Sequence, residues 1–245
     1  DHYREMSPYR DWVIRAFNEN LPYDRFVIDQ LAGDLYPEPT RDELVASGVN
    51  RLHLVIDRGT ALPEESYTRN VIDRVTAVGT AFLGLTVQCA VCHDHKYDPI
   101  TSRDFYQLFA FFNNLDAEPE TGFRSGPDFD RGLQPPYISL ANEFQQAQVR
   151  ELERRVEEAK RQVERLEQRL SASDGSADKQ SLEAELAQAK QTLEAAQNEK
   201  NQFEAAIPAA MVMKERSEMR PAYILIRGAY DKHGEQVERD TPSFL

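Results

Sequence analysis

The chain has 245 residues, of which 42 are acidic and 29 are basic, so its formal net charge at pH 7 is −13. Such an acidic chain disfavours binding to nucleic acid or to anionic membranes, because both attract Lys and Arg. No apolar run approaches the roughly 20 residues that span a bilayer, and we predict no membrane span. The length allows one large domain or two ordinary ones.

The chain begins at Asp1 without an initiator Met, and no charged stretch followed by an apolar core marks a signal peptide. We therefore expect the sequence to be a piece of a longer protein. It holds two cysteines, Cys89 and Cys92, and His93 follows them directly. Both cysteines of the chain thus lie in one short motif.

Residues 1 to about 115 have the pattern of several short helices. Prolines or capping pairs precede the apolar stretches and predict helix starts near Ser7, Pro22, Thr40, Pro63 and Thr101. We therefore predict an irregular, mainly α-helical domain over residues 1–115. Residues 116–138 mix prolines, glycines and scattered charges, which is typical of an irregular linker.

Two apolar stripes run through residues 139–207 with the alternating steps of three and four that mark heptad positions a and d. The first stripe is Val149, Leu152, Val156, Ala159, Val163, Leu166 and Leu170. The second stripe is Leu182, Leu186, Ala189, Leu193, Ala196, Lys200 and Phe203. The sequence therefore predicts two consecutive long helices with a turn at about residues 171–181.

The two stripes match if the chain folds back on itself. Facing positions then carry residue numbers that add up to 352, and small residues face larger ones. Lys200 alone interrupts the apolar seam, and its long stem can reach the edge. We predict an intramolecular antiparallel coiled-coil hairpin; two separate helices of a bundle, or a coil between chains, are the alternatives.

The last segment, residues 208–245, changes pattern again. Tyr223–Ile226 is a short β-rich run after Pro221, and Lys232–Gly234 predicts a turn. The segment is too short to bury a core of its own. We therefore expect it to be the incomplete start of a further domain.

The motif Cys89-Ala90-Val91-Cys92-His93 is a C-x-x-C-H. Two thiols at this spacing can form thioethers to the two vinyl groups of a haem, and the adjacent imidazole can then bind the iron as an axial ligand. The sequence thus predicts Cys89, Cys92 and His93 as the binding residues of covalent haem c, with His93 on the metal.

Three other interpretations of the motif stay open. Zinc could be bound by both cysteines with His93 or His95, although structural zinc sites usually draw their second ligand pair from further along the chain. A redox dithiol is the second alternative, although no strand is predicted before Cys89. The third is a local disulfide or a pair of half-buried thiols.

The sequence does not identify a sixth iron ligand. No methionine lies between His93 and the end of the predicted hairpin, and His53 is the alternative within residues 1–115. His95 cannot easily reach the same iron, because two positions along a helical turn point it away from His93, and its role is open. No phosphate loop, nucleophile elbow or H-E-x-x-H motif is present, so the sequence indicates no catalytic constellation.

Several segments resemble the planctomycete-type cytochrome-c-like domain, a family of unknown function. The segments that carry the resemblance are Asp11–Trp12, Pro22–Phe26, Gln30–Asp34, Asn50–Arg51, Asp73–Val75, Cys89–Ile100 and Asp104–Asn114. The resemblance covers about residues 1–115. Val212–Arg216 and Tyr223–Gly228 resemble the opening of a second uncharacterised domain that typically follows the first.

The resemblance implies a large bacterial protein that is periplasmic or otherwise exported. It carries over Cys89, Cys92 and His93 as haem attachment and ligand positions, and His95 as a motif position without an assigned role. The predicted hairpin would then be a spacer between two domains.

Two functions from different classes follow. The first is a haem-binding, electron-transfer-type module of an exported multidomain protein, with an unidentified redox or structural protein partner. The second is a non-haem structural or interaction module, in which the Cys-His segment binds a metal or forms a disulfide and the coiled coil contacts a partner. A catalytic role carried by other domains of the parent protein, acting on an extracellular polymer, is a weaker third.

Overall fold

The computed structural model describes residues 3–53, 62–119, 126–172 and 176–243. The chain divides into two compact units: unit 1 comprises Asp1–Ile138 with Ala210–Leu245, and unit 2 comprises Ser139–Ala209. Helices predominate in the described part of the chain, which confirms the mainly α prediction. No helix among the described residues has the length and hydropathy of a membrane span.

The helices of unit 1 are short. They are α1 (Ser7–Asn18), α2 (Tyr23–Ala32), α3 (Arg41–Ala46), α4 (Pro63–Val78), α5 (Ser102–Phe112) and α6 (Pro127–Asp130). Single turns of 3-10 helix add Gly33–Leu35, Ser47–Arg51, Gln88–Val91 and Ile226–Gly228, and α4 continues as a π-helical turn over Gly79–Leu83. The helix starts predicted from the capping signals are present within one or two residues.

Capping boxes start two of these helices, as their sequences predict. The Thr40 hydroxyl accepts a hydrogen bond from the Glu43 backbone N–H, while the Glu43 carboxylate accepts one from the Thr40 backbone N–H. Thr101 and Asp104 form the same reciprocal pair at the start of α5. Each pair satisfies two backbone donors that a helix start would otherwise leave without a partner.

The strands form two small sheets. In unit 1, β3 (Ala222–Leu225) pairs antiparallel with β4 (His233–Val237), and Tyr223 lies opposite Gln236. At the boundary with unit 2, β1 (Tyr137–Ser139) pairs with β2 (Ala209–Met211). The predicted β-rich run is present, but the predicted turn is displaced.

The displaced turn has a specific cause. Residues Tyr230–Asp231 form the turn, whereas His233 and Gly234 belong to β4. The His233 ring stacks flat on the Tyr223 ring, with a centroid distance of 4.7 Å. This cross-strand contact stabilises His233 in a strand conformation, and the prediction of a turn over Lys232–Gly234 was wrong for those two residues.

The main apolar core of unit 1 combines the two sequence segments of that unit. Helices α4 and α5 pack together and contribute Tyr67, Val71, Val75, Phe105, Tyr106, Phe109, Ala110 and Phe112. Ala222, Leu225 and Val237 of the β3–β4 sheet are buried in the same cluster. The C-terminal segment is therefore part of the core of the N-terminal helices; that it also begins a further domain stays a prediction.

A completely buried arginine joins three parts of unit 1. Arg51 donates hydrogen bonds of 3.1–3.3 Å to the backbone carbonyls of Gln134, Pro135, Pro136 and Val212. These carbonyls come from the segments just before and just after unit 2 in the sequence. Four carbonyl acceptors compensate the desolvation of the buried guanidinium.

Unit 2 is a long helical pair, α7 (Glu143–Ser171) and α8 (Ser176–Ala205). The buried and half-buried residues of α7 and α8 include every position of the two predicted stripes, while nearly all other described side chains are exposed. Ion pairs between the helices join Arg155 to Glu199 and Glu167 to Lys190. The predicted long helical pair is therefore present.

The turn of the pair is shorter than the sequence predicted. Helix α8 begins at Ser176, inside the segment 171–181 that was assigned to the turn, and residues 173–175 lie outside the described part. After Gly175 this segment contains no further glycine or proline, the two residue types that disfavour a helix most. Lys200 is half-buried in the seam and pairs with Glu204 at 2.9 Å, as its snorkelling position predicts.

Candidate functional site

The C-x-x-C-H motif lies on a short 3-10 turn between the π-helical end of α4 and the start of α5. Two buried residues, Val87 and Ala90, anchor this turn in the core of unit 1. Cys89 and Cys92 are both exposed and both are free thiols. Because a 3-10 helix has three residues per turn, side chains three positions apart lie on the same side. The turn thus presents both sulfurs to solvent together.

His93 is exposed, and its ring has a defined hydrogen bond. The Nδ1 atom lies 2.8 Å from the carbonyl oxygen of Asp94. A carbonyl can only accept, so Nδ1 carries the proton and Nε2 carries the lone pair. This arrangement is typical of metal-ligating histidines, whose other ring nitrogen donates to a backbone carbonyl or a carboxylate.

Two hydrogen bonds fasten the backbone of the motif to α5. The Asp94 carboxylate accepts a hydrogen bond of 2.8 Å from the backbone N–H of Ser102. The Tyr106 hydroxyl donates a hydrogen bond of 2.8 Å to the carbonyl oxygen of Val91. Burial, with a smaller electrostatic contribution from Cys92, raises the pKa of Tyr106, so this hydroxyl stays protonated and remains a donor.

His95 holds the turn that follows the motif. Its Nδ1 accepts hydrogen bonds from the backbone N–H groups of Asp98 (2.9 Å) and Tyr97 (3.4 Å). The same Nδ1 lies 3.3 Å from an Asp98 carboxylate oxygen, which would be an ion pair only with a protonated ring. Backbone N–H groups can only donate, so we assign the lone pair to Nδ1 and the proton to Nε2. His95 thus has a structural role that the sequence did not reveal.

His53 has a different environment from His93. It is buried, and its Nδ1 lies 3.4 Å from Nη2 of Arg74. The Nε of the same arginine donates a hydrogen bond to the Asn50 carbonyl. The neighbouring segment 54–61 lies outside the described residues. The structure therefore gives His53 a buried polar contact with α4, and its proposed role as a second iron ligand stays a prediction.

A glycine from the C-terminal segment lies against the second cysteine. Gly228 has φ +71°, and a Cβ atom placed on it would be 2.9 Å from Cys92 Sγ and 3.0 Å from Val91 Cγ1. The preceding residue, Arg227, also has a positive φ of 56°. This contact could not be read from the sequence, because Arg227-Gly228 only follows the β-rich run and does not indicate which segment it meets.

The donor set of the C-x-x-C-H motif consists of two thiols and one imidazole. Among the residues described, no group of three or more His, Cys, Asp or Glu side chains is arranged to hold a metal ion. Covalent haem requires two accessible thiols and one imidazole from the motif. Cys89, Cys92 and His93 present these groups at the surface of the 3-10 turn.

Comparison with known proteins finds a family model that covers the motif. Residues 1–117 match the family model of PSCyt2, a protein of unknown function (DUF1549). A search of curated proteins and a search of solved structures each find no match. The match ends before unit 2 begins and agrees with the range of the resemblance read from the sequence. The part of the chain that carries Cys89, Cys92 and His93 therefore lies within the segment that matches PSCyt2, a planctomycete cytochrome-c-like family of unknown function.

Proposed function

We propose that this chain is a haem-binding, electron-transfer-type module of a large exported bacterial protein. The observation that carries the proposal is the set of three exposed groups on one short turn. Two free thiols lie three residues apart, and the next residue is a histidine whose Nδ1 is committed to a carbonyl. The Nε2 lone pair of His93 is the group that would bind iron.

Each cysteine would attach the ring by adding its thiol across a vinyl group. The sulfur forms a bond to one vinyl carbon and the thiol hydrogen goes to the other, so the addition needs no oxidant or reductant. Exposure of Cys89 and Cys92 makes both sulfurs accessible to such a partner. The short turn between them fixes the spacing of the two thioethers.

The residues around the motif would act as a rigid support. Val87 and Ala90 are buried, Asp94 is tied to α5, and Tyr106 holds the Val91 carbonyl. These contacts limit the directions that the His93 ring can take, which is what an axial ligand needs. A bound haem supplies a reversible one-electron iron couple, whose potential depends on ligation and burial.

The setting of the module in the parent protein is part of the proposal. We infer an exported or periplasmic protein, in which unit 2 serves as a spacer and a redox or structural protein is the partner. The family resemblance supports this setting, because members of this type are large exported bacterial proteins.

Covalent haem is tested by expressing the chain in a bacterial periplasm together with c-type maturation proteins. We expect a pyridine haemochrome spectrum, a haem-stained band on a denaturing gel and an intact mass increased by one haem. Cys92→Ser should abolish the haem stain, and His93→Ala should alter the visible spectrum. His233→Ala, on the exposed side of β4, is the matched histidine control and should leave both unchanged.

The same experiment separates the alternative function. A colourless protein with the mass of the bare chain contradicts haem attachment. Stoichiometric zinc in that protein would support a structural metal module. A mass lower by two hydrogens that returns on reduction would support a disulfide-closed motif.

A further inference from the structure

We propose that the turn Ile226–Gly228 forms one wall of the C-x-x-C-H site, and that the missing side chain of Gly228 allows this turn to lie directly beside Cys92 Sγ. The site would then be completed by residues more than a hundred positions beyond its motif, outside the segment that matches the family model. This inference deepens the proposed function, and it rests on that function for what the completed site is used for.

The close approach of the two segments is the first support. A Cβ atom at Gly228 would lie 2.9 Å from Cys92 Sγ and 3.0 Å from Val91 Cγ1, well inside the roughly 3.5–4.0 Å of ordinary van der Waals contact. No residue with a side chain fits there without a shift of the motif or of the turn. Gly228 therefore determines how near the C-terminal segment can come to the sulfur.

The backbone of the turn is the second support. Arg227 and Gly228 both have positive φ values, 56° and 71°. Arginine rarely takes this conformation, so the surrounding contacts must impose it. In the structure the turn is held by hydrogen bonds from Ile226 N–H to the Lys232 carbonyl and from Ala229 N–H to the Ile226 carbonyl. The turn thus meets the motif as a fixed surface.

The attachment of the C-terminal segment to α5 is the third support. Asn113 donates to the Pro221 carbonyl at 3.0 Å, and Arg239 donates to the Ala110 carbonyl at 3.2 Å. Ser243 N–H donates to the Asp104 carboxylate at 2.9 Å. Helix α5 also holds the motif through Tyr106. The motif and the C-terminal segment that carries the turn are therefore fixed to the same helix.

A double-mutant cycle in the cofactor-free protein tests the contact. Gly228→Ala should lower the midpoint of thermal unfolding, and Cys92→Ala should restore part of that loss by removing the sulfur that the new methyl group meets. Gly84→Ala is the matched control, since Gly84 has a similar φ of +66° and its Cβ would meet nothing within 4 Å. Cys92→Ala should restore none of the loss caused by Gly84→Ala. Additive effects of Gly228→Ala and Cys92→Ala would overturn the proposal.

A kinetic measurement covers the case in which Gly228→Ala fails to fold. Gly228→Asn tolerates a positive φ but still adds a Cβ. Iodoacetamide should label its Cys92 more slowly than in the natural chain, by about threefold or more, while labelling of Cys89 changes less than about twofold. Equal rates at Cys92 in the two proteins would overturn the proposal. Neither measurement uses haem, so a failure of haem attachment would refute the proposed function and leave this inference intact.

Discussion

Tyr106 on α5 and Val91 in the C-x-x-C-H motif are joined by a hydrogen bond of 2.8 Å from the phenol hydroxyl to the backbone carbonyl. The two residues are fifteen positions apart, and the tyrosine ring is completely buried in the core of unit 1. The bond connects the packing of the core to the position of both cysteines. The first prediction follows from it.

Tyr106→Phe removes the hydroxyl and leaves the ring. The Val91 carbonyl loses its donor, and we expect the free energy of unfolding to fall by about 1 kcal/mol, as for a typical buried hydrogen bond. We also expect faster alkylation of Cys92, because the motif is held less firmly. Urea unfolding and thiol labelling measure the two effects. Tyr97→Phe, at an exposed aromatic beside the motif, is the control, and an equal response from both variants would contradict the prediction.

The second prediction concerns Asp104 and acid. Burial raises the pKa of this carboxyl, but hydrogen bonds from Thr101 and Ser243 outweigh burial and lower the pKa below its usual 3.8. A lowered folded-state pKa stabilises the protein above pH ~5, and this stabilisation is lost as the pH falls through the folded-state pKa. We therefore expect Asp104→Asn to be less stable than the natural chain at pH 7. The difference in stability should shrink as the pH falls below 3.8.

Chemical unfolding of the natural chain and Asp104→Asn at several pH values between 7 and 2.5 provides the measurement, roughly the range over which such a carboxylate titrates. Asp231→Asn, at an exposed position, is the control for the change of a carboxylate to an amide. A stability difference between Asp104→Asn and the natural chain that stays constant over the whole range would refute the linkage.

The third prediction separates the two histidines of the motif. His95→Ala removes the acceptor for two backbone N–H groups, so we expect a loss of about 0.5–1.5 kcal/mol in the free energy of unfolding. His93→Ala affects an exposed ring and should change stability by less than about 0.5 kcal/mol. Thermal unfolding of the cofactor-free variants decides the matter. A larger loss of stability for His93→Ala than for His95→Ala would contradict this prediction.

The fourth prediction concerns the seam of unit 2. The Lys200 side chain is 24% exposed, and its ion pair with Glu204 lies near the surface. Lys200→Leu should raise the stability of the helical pair by about 0.5–1 kcal/mol, because added apolar burial exceeds the small contribution of the ion pair. Far-ultraviolet circular dichroism during urea unfolding would follow the helices. Lys179→Leu, at an exposed position of α8, should give no such increase.

Local sequence patterns predicted the helical pair well. The positions from Leu152 to Leu166 and from Leu182 to Ala196 that the heptad pattern assigned to the seam are the buried or half-buried ones. The pattern suffices because each helix of a hairpin packs against its immediate neighbour in the chain. Capping pairs at Thr40 and Thr101 were readable for the same reason, since both partners lie within four residues.

Contacts between distant segments could not be read from the sequence. Arg51 donates hydrogen bonds to carbonyls that lie 83 to 161 residues away in the sequence. Gly228 contacts Cys92, which precedes it in the sequence by most of the length of unit 1. The neighbouring sequence of a turn glycine or of an arginine does not show whether the residue is exposed or buried in a contact between distant segments. The sequence also did not reveal that the His95 ring accepts hydrogen bonds from backbone N–H groups. The lone pair can be assigned to Nδ1 only when the donors around the ring are known.

The way unit 1 is interrupted has a consequence for how this chain can change in length. The chain leaves unit 1 after Ile138 and re-enters it at Ala210, and the Val212 N–H donates to the Pro136 carbonyl at 3.1 Å. The points at which the chain leaves and re-enters unit 1 are therefore adjacent. The entropic cost of closing the intervening segment rises only slowly with its length. Adding or deleting whole heptads equally in both arms leaves these two crossing points unchanged, whereas an unequal change puts the seam out of register. Unit 1 thus contains a pair of adjacent crossing points between which one helical pair could be exchanged for another of different length.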